Sequence, residues 1–214
     1  MSRPPQPITA VTVYCSSSTE LHRDHLAVAR RTGELIARSG RTLIYGGGKI
    51  GLMGEMARAA REGGGYVVGI ITERLKHAEQ LDPDNHENVV VASMRQRKAL
   101  LEARADAMIV LPGGLGTLEE FFEILVGRLL GEHHKPILVV NPPDPEAGGA
   151  YYDPLLSMFD HMVRNRFARA GVRELFEVLP SPEEVVQRLD ALSVPAEPAD
   201  FARFMPSADA QATR

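Results

Sequence analysis

The stretch Ala107-Met-Ile-Val-Leu-Pro-Gly-Gly-Leu-Gly-Thr-Leu-Glu-Glu120 runs from a short apolar segment through a glycine turn into a helix-like pattern. An earlier stretch, Thr42-Leu-Ile-Tyr-Gly-Gly-Gly-Lys-Ile-Gly-Leu-Met-Gly54, has the same order of strand, glycine turn and helix. At such a turn, glycine lets the backbone approach an anion, and the free amide groups and dipole of the following helix favour negative charge. Both turns are therefore predicted phosphate-binding positions.

The rest of the chain also alternates apolar runs with helical spacing. The predicted strands are residues 10–15, 42–45, 66–71, 89–92, 107–111, 137–141 and 175–178, and the predicted helices are 21–39, 51–61, 94–104, 117 onward, 152–167 and 182–192. This alternation predicts an α/β, Rossmann-like, doubly wound fold, in which a mainly parallel sheet carries helices on both faces. Ligands of such sheets bind beyond the carboxyl ends of the strands, where both glycine turns lie.

Length and composition limit the organisation of the chain. Its 214 residues suit one domain, which we assign to residues 10–194. We expect residues 1–9 to be a flexible N-terminus and residues 195–214, rich in Ala, Pro and Asp, to be a disordered tail. No apolar run approaches the roughly 20 residues of a membrane span, and residues 1–7 lack the apolar core of a signal peptide. We therefore expect a cytoplasmic protein without a membrane partner.

The net charge and the pattern of cysteine and histidine residues exclude further classes of protein. The net charge of −4 provides no basic surface for nucleic acid, so the expected partner is a small molecule. The one cysteine, Cys15, cannot form an internal disulfide and is expected to be a buried small residue. His133 and His134 are adjacent and cannot face one metal as an i, i+4 pair would, so no metal site is expected.

Glu119 and Glu120 follow the second glycine turn closely. If Thr117 opens the helix, both carboxylates lie in its first turn, beside a phosphate resting on the glycines. A capping box is the structural alternative, with Thr117 at the N-cap and Glu120 at N3. It would not explain the three glycines at positions 113, 114 and 116.

The first turn allows a different interpretation. Gly46, Gly48 and Gly51 satisfy the G-x-G-x-x-G pattern of dinucleotide-binding proteins. Glu73 then ends the following predicted strand, where such proteins place a ribose-binding acid. The motif, however, follows the second predicted strand instead of the first, and an NAD site leaves the second turn unexplained.

Arg95, Arg97 and Lys98 begin the helix that precedes the second turn. A cation at the N-terminal end of a helix opposes the helix dipole, so local electrostatics do not favour this placement. The residues are either solvated surface charges or ligands of a nearby anion.

Taken together, three motifs resemble the LONELY GUY (LOG) family of cytokinin riboside 5′-monophosphate phosphoribohydrolases. They are Gly46-Gly-Gly48 with Gly51-Leu-Met-Gly54, Met94-x-x-Arg97-Lys98, and Pro112-Gly-Gly-x-Gly-Thr-x-x-Glu120. The resemblance implies a Rossmann-like homodimer without a cofactor. It also implies hydrolysis of the N-glycosidic bond of an adenine or N6-modified adenine nucleoside 5′-monophosphate, which releases the base and ribose 5-phosphate.

The resemblance also implies roles for individual residues. Arg97 and Glu120 match the catalytic pair. The implied substrate-binding residues are Glu79, Lys98, Gly113, Gly114, Leu115, Gly116, Thr117, Leu118 and Glu119, and the turn of Gly46, Gly47 and Gly48 is expected near the phosphate. Glycosidic cleavage develops positive charge on the ribose, so the Glu120 carboxylate would stabilise that charge or activate water. Arg97 would act either on the phosphate or on Glu120.

Two other functions compete with this one. A non-catalytic nucleotide-binding or sensing protein of the same superfamily would keep both glycine turns, but it has no evident need for a carboxylate beside an anionic ligand. A decarboxylase dependent on pyridoxal phosphate needs a lysine for its Schiff base, and no lysine has a compelling setting in the sequence.

Overall fold

The computed structural model describes residues 6–194. Its strands are β1 (Gln6–Pro7), β2 (Ala10–Tyr14), β3 (Thr42–Tyr45), β4 (Val67–Thr72), β5 (Glu87–Val91), β6 (Ala107–Val110), β7 (Ile137–Val140), β8 (Glu177–Leu179) and β9 (Ser193–Val194). Its α-helices are α1 (Arg23–Arg38), α2 (Gly51–Glu62), α3 (Leu75–Ala78), α4 (Met94–Ala103), α5 (Leu115–Leu130), α6 (Asp153–Arg164) and α7 (Pro182–Ala191), with a 3₁₀ helix at Ala170–Leu175.

Seven strands form one parallel sheet in the order β5-β4-β3-β2-β6-β7-β8. The chain starts at central β2, builds outward through β5, and returns to the other side of β2 with β6. The loops after β2 and β6 therefore leave the sheet in opposite directions, which opens a crevice at its carboxyl edge. The predicted Rossmann-like, doubly wound fold is confirmed.

Alternating strand residues supply two apolar cores, one on each face of the sheet. Val11 and Val13 of β2 pack with α1, α2 and α7, whereas Tyr14 packs on the opposite face with α4, α5 and α6. Because both faces are covered, the strands are apolar runs without polar alternation, as expected for a parallel sheet.

Residues 6–9 differ from the flexible N-terminus that the sequence suggested. Gln6–Pro7 pairs antiparallel with Ser193–Val194, and the side chain of Ile8 is buried in the first core. Apolar burial and strand pairing outweigh the proline-rich composition here. Residues 1–5 and the predicted tail, 195–214, lie outside the described residues.

Within residues 6–194, no helix is both long and apolar enough to cross a lipid bilayer.

Candidate active site

A cavity of about 490 Å³ opens at the carboxyl edge of the sheet, in the crevice between the loops after β2 and β6. Its walls come from residues 13–18, Gly46, Met53, Leu75, Glu79, Met94, Arg97, residues 114–117, Glu119 and Glu120. Five segments that are distant in sequence therefore meet around one volume, large enough for a small ligand.

The second glycine turn begins helix α5 earlier than predicted. Gly114 is the N-cap, Leu115 is the first helical residue, and no side chain caps the helix. The capping box is therefore wrong: Thr117 lies inside the helix with a buried side chain, and Glu119 and Glu120 lie in the second turn. Gly114 has the extended backbone conformation of an N-cap residue.

The start of α5 presents free amide groups to the cavity. Among the described residues, the backbone N–H groups of Leu115, Gly116 and Thr117 have no hydrogen-bond acceptor, and all three residues line the cavity. With the positive end of the helix dipole, these groups form a site for an anion.

Gly113 and Leu118 lie outside the cavity walls. A Cβ atom on Gly113 would stand 2.1 Å from the Thr117 hydroxyl oxygen, so this glycine makes room for Thr117. Its carbonyl oxygen accepts a hydrogen bond from the Tyr151 hydroxyl at 2.9 Å. Leu118 packs against the second core. The structure thus gives these two predicted substrate-binding residues packing roles.

Glu120 extends from the second turn of α5 into the cavity wall. Burial raises the pKa of its carboxyl to about 7, although the Arg97 charge acts in the opposite direction. Glu119 and Glu79 raise it further by repulsion. At neutral pH the group is therefore divided between its acid and carboxylate forms, as a proton-transferring residue requires.

Arg97 is 4% exposed, and its guanidinium reaches back across the sheet edge. Its Nε donates to the Ile70 carbonyl at 3.0 Å, and its Nη2 donates to the Gly46 carbonyl at 2.9 Å and to Glu79 Oε2 at 3.0 Å. Its partners are therefore one carbonyl within β4, one carbonyl just after β3 and one carboxylate, with a long contact from Nη1 to Met94 Sδ at 4.0 Å. The Glu79 carboxylate and the two carbonyls offset the unfavourable placement of this charge at the start of α4.

Glu79 is the direct ionic partner of Arg97. It follows the short helix α3, which is absent from the elements predicted from the sequence. Burial raises the pKa of Glu79, while Arg97 opposes that shift by its charge and its hydrogen bond.

Lys98 does not reach the wall of the large cavity. Its ammonium group pairs with Glu119 at 2.5 Å and Glu123 at 2.6 Å, both on α5. The lysine therefore connects α4 with α5 and is not among the residues that line the cavity.

The first glycine turn is hydrogen-bonded to neighbouring segments of the chain. Lys49 N–H donates to the Gln80 carbonyl and Asp82 N–H donates to the Gly47 carbonyl, so the turn is bonded to the segment after α3. The amides of Leu52 and Met53, at the start of α2, both donate to the Ser16 carbonyl. These two amides of α2 are therefore not free to bind a phosphate, and a phosphate near Gly46, Gly47 and Gly48 stays a prediction.

Close packing explains the glycines of this turn. A Cβ atom on Gly46 would lie 2.3 Å from Arg97 Nη2, and one on Gly48 would lie 2.8 Å from the Glu79 carbonyl oxygen. Gly46 lines the cavity, whereas Gly47 and Gly48 do not. The NAD alternative also fails, because Glu73 is exposed, pairs with Lys76 and lies outside the cavity.

Comparison with known proteins decides the family. The family model described as "Possible lysine decarboxylase" matches residues 53–189. The cytokinin riboside 5′-monophosphate phosphoribohydrolase of Mycobacterium tuberculosis is 46% identical over 132 residues, covering 62% of this chain and 70% of that protein. The Arabidopsis thaliana enzyme LOG5 of the same name is 36% identical over 181 residues, covering 85% and 77%. The chain belongs to the LOG family.

Solved structures similar to this LOG-family chain support the fold alone. The molybdenum cofactor carrier protein of Chlamydomonas reinhardtii has a TM-score of 0.62 at 19% identity, covering 87% of this chain and 99% of that one. The molybdenum cofactor binding protein of Rippkaea orientalis has a TM-score of 0.62 at 21% identity, covering 88% and 98%.

Sequence reasoning missed several residues that line the cavity of this LOG-family chain. Ser16, Ser17 and Ser18 follow central β2, and their position beside the switch point was a usable signal. Met53, Leu75 and Met94 supply apolar walls, but helical spacing assigns such residues to the core by default. Within residues 6–194, no cluster of metal-ligating side chains is present.

Proposed function

We propose that this LOG-family protein hydrolyses the N-glycosidic bond of adenine or N6-modified adenine nucleoside 5′-monophosphates, releasing the free base and ribose 5-phosphate. The observation that carries this proposal is that Glu120, with a pKa of about 7, shares one cavity with the free amides at the start of α5. An anion-binding end and a proton-transferring carboxyl then act on the same ligand.

The phosphate is proposed to rest on the amides of Leu115, Gly116 and Thr117. These groups supply several donors to one anion, and the dipole of α5 adds to the attraction. Gly114 has no atom within 4 Å of the position that a Cβ would occupy, so the approach to these amides is open.

Glu120 is proposed to act on the ribose. As C1′ separates from the base nitrogen, positive charge grows on the ring, and the Glu120 carboxylate stabilises this charge. The same carboxylate accepts a proton from the attacking water, whose oxygen becomes the new C1′ hydroxyl, and the departing base nitrogen gains one proton from solvent, so that the free base leaves neutral. Water is the only co-substrate, and the reaction needs no cofactor.

Arg97 is proposed to keep part of Glu120 ionised. Its charge lowers the pKa of the Glu120 carboxyl against the effect of burial, so without Arg97 the carboxylate population at neutral pH would fall. Glu79 and the carbonyls of Ile70 and Gly46 hold the guanidinium in place for this role. Glu79 and Glu119, which also line the cavity, are proposed to contact the substrate.

The base is proposed to occupy the apolar part of the cavity. Met53, Leu75 and Met94 offer side chains that pack against a flat ring without fixing its substituents. This wall suits adenine and an apolar N6 substituent.

Two alternatives have weaker support. A nucleotide-binding or sensing protein would gain nothing from a half-ionised carboxyl beside an anionic ligand, because that carboxylate repels it. A decarboxylase that uses a lysine Schiff base does not fit, since no lysine lines the cavity within residues 6–194.

The decisive experiment incubates the protein with AMP, N6-modified AMP and the matching nucleosides, and measures free base and ribose 5-phosphate. We expect cleavage of the monophosphates and poor cleavage of the nucleosides, because only the phosphate uses the amides of α5. Glu120→Gln should abolish turnover, whereas Glu132→Gln, an exposed carboxyl at the end of the same helix, should retain it. Equal cleavage of AMP and adenosine would contradict the proposed site, and nucleotide binding without cleavage would favour the sensing protein.

We further infer a cytoplasmic homodimer that binds neither nucleic acid nor membranes. Phe122, Val126 and Leu130 expose 36%, 46% and 53% of their surface along one side of α5, and Phe167 exposes 85%. An apolar surface of this kind is typical of a subunit interface. Light scattering that gives the mass of a monomer at micromolar concentration would contradict the dimer.

A further inference from the structure

A second, very small cavity lies behind Glu120, between α4 and α5. It measures about 10 Å³ and is lined by Tyr14, Lys98, Glu102, Glu120, Glu123 and Ile124. That volume is on the order of one probe sphere, enough for a single water molecule. Tyr14 and Glu120 line both this chamber and the large cavity, so they form the wall between the two.

The Tyr14 hydroxyl has no hydrogen-bond partner among the described residues, and it is not among the fully buried polar atoms that lack a partner, so it keeps contact with one of the two cavities. Tyr14 is only 4% exposed, and no described residue forms a hydrogen bond with its hydroxyl group. The other two buried tyrosines differ: Tyr45 bonds to Asn85 at 2.9 Å, and Tyr152 donates to the Leu111 carbonyl at 2.6 Å. Buried tyrosine hydroxyls usually have a partner.

The charges around the chamber favour a bound water with donors and acceptors. Titratable groups come from every surrounding element: Arg97, Lys98 and Glu102 of α4, Glu119, Glu120 and Glu123 of α5, Tyr14 and Cys15 at the end of β2, and Glu79 after α3. Lys98 is engaged by Glu119 and Glu123. Burial raises the pKa of Tyr14 well above its usual range, so its hydroxyl remains a donor throughout neutral pH.

We propose that the chamber holds one water molecule that links the Tyr14 hydroxyl to the Glu120 carboxyl, and that Tyr14 is a positioning residue for Glu120. The hydroxyl donates to the water, and the water donates to the rear oxygen of the carboxylate. The front oxygen is left for the ligand. Because a donated hydrogen bond stabilises the charged form, this link lowers the pKa of Glu120 and fixes the direction of its carboxyl plane.

This inference deepens the proposed function and predicts a shift of known sign. Removing the hydroxyl in Tyr14→Phe should raise the midpoint of Glu120 ionisation by about one pH unit, which is a tenfold change in the ratio of its two forms. In the pH profile of kcat/KM, the pKa that reports Glu120 should rise by the same amount. KM should be nearly unchanged, since Tyr14 acts through Glu120.

The test follows the carboxyl carbon of Glu120 by ¹³C NMR in the ligand-free protein, with the signal assigned by its loss in Glu120→Gln. We expect a midpoint of about 7 in the wild type and a midpoint about one pH unit higher in Tyr14→Phe. Tyr45→Phe removes a buried hydroxyl at the end of neighbouring β3 and should not move the midpoint. Because this readout requires no turnover, it remains informative if the proposed hydrolysis fails.

An unchanged or lowered midpoint in folded Tyr14→Phe would overturn the proposal. If that variant does not fold, a high-resolution crystal structure of the wild type provides the second test. No water within hydrogen-bond distance of both the Tyr14 hydroxyl and the Glu120 carboxyl would overturn it equally. A shifted midpoint in a protein that cleaves no nucleotide would refute the hydrolase and leave the Tyr14 link standing.

Discussion

Replacing Arg97 by alanine should destabilise the fold as well as reduce turnover. The guanidinium is 4% exposed and satisfies the carbonyls of Ile70 and Gly46 together with the carboxylate of Glu79. Ile70 lies within β4, Gly46 follows β3 and Glu79 follows α3. One side chain therefore holds three segments of the cavity wall together, and its loss leaves each of them without its donor.

The expected cost follows from these contacts. Removing one partner of a buried ion pair typically costs about 3–5 kcal/mol, because the remaining charge stays buried and unpaired. The two carbonyls bring the cost toward the upper end of that range, although water entering from the cavity offsets part of their loss. For a chain of this size, such a cost lowers the melting temperature by roughly 6–20 °C.

Urea unfolding of Arg97→Ala, compared with Arg58→Ala, measures this cost. Arg58 is half exposed and makes ion pairs on the surface of α2, so its removal should change the free energy of unfolding by less than about 0.5 kcal/mol. Arg97→Lys should recover part of the stability, since an ammonium keeps the charge but loses the planar fork. If Arg97→Ala were as stable as Arg58→Ala, the guanidinium would not be holding the wall, and its hydrogen bonds would have been overvalued.

The remaining predictions concern α5. Gly113→Ala should lower the stability of the fold, because the new Cβ would meet the Thr117 side chain. Gly114→Ala has no atom within 4 Å of the new Cβ, so it should keep the stability but raise KM for the nucleotide. Equal melting temperatures of the two variants would contradict this contrast. The folded pKa of Glu120, about 7, lies above its usual 4.5, so the stability from its neutral form is fully present below pH 4.5 and is lost as pH rises through 7. Glu120→Gln should therefore match the wild type at pH 4 and exceed its free energy of unfolding at pH 9 by at most about 3 kcal/mol. Denaturant unfolding at both pH values checks this, and a wild type that is the more stable at pH 9 would refute the raised pKa.

The fold was predictable because apolar periodicity and glycine punctuation mark nearly every strand and helix of the main sheet. The pairing of Gln6–Pro7 with Ser193–Val194 was not, because two residues carry no period and their partner lies at the other end of the chain. Short α3 was missed for a related reason: its four residues are too few to display helical spacing.

The site was predictable where a residue type is unusual in its local setting. Arg97 opposes a helix dipole, and Glu120 follows a glycine turn, so both stood out before any contact was known. Tyr14 and the residues 16–18 did not, since a tyrosine or a serine after a strand is ordinary in sequence. Their importance depends on central β2 lying beside β6, which is a property of the sheet order alone.

The two glycine turns show that one sequence pattern has two physical meanings. Both follow parallel strands and precede helices, but the Ser16 carbonyl accepts from the Leu52 and Met53 amides of α2, whereas the first three amides of α5 have no acceptor among the described residues. The difference arises from the order of strands. The turn after β3 lies beside the loop leaving β2 on the same side, so the two loops pack together, whereas the turn after β6 faces the gap that opens where the winding reverses. Glycine therefore serves packing at the first turn and access at the second, and the fate of the helix amides distinguishes them.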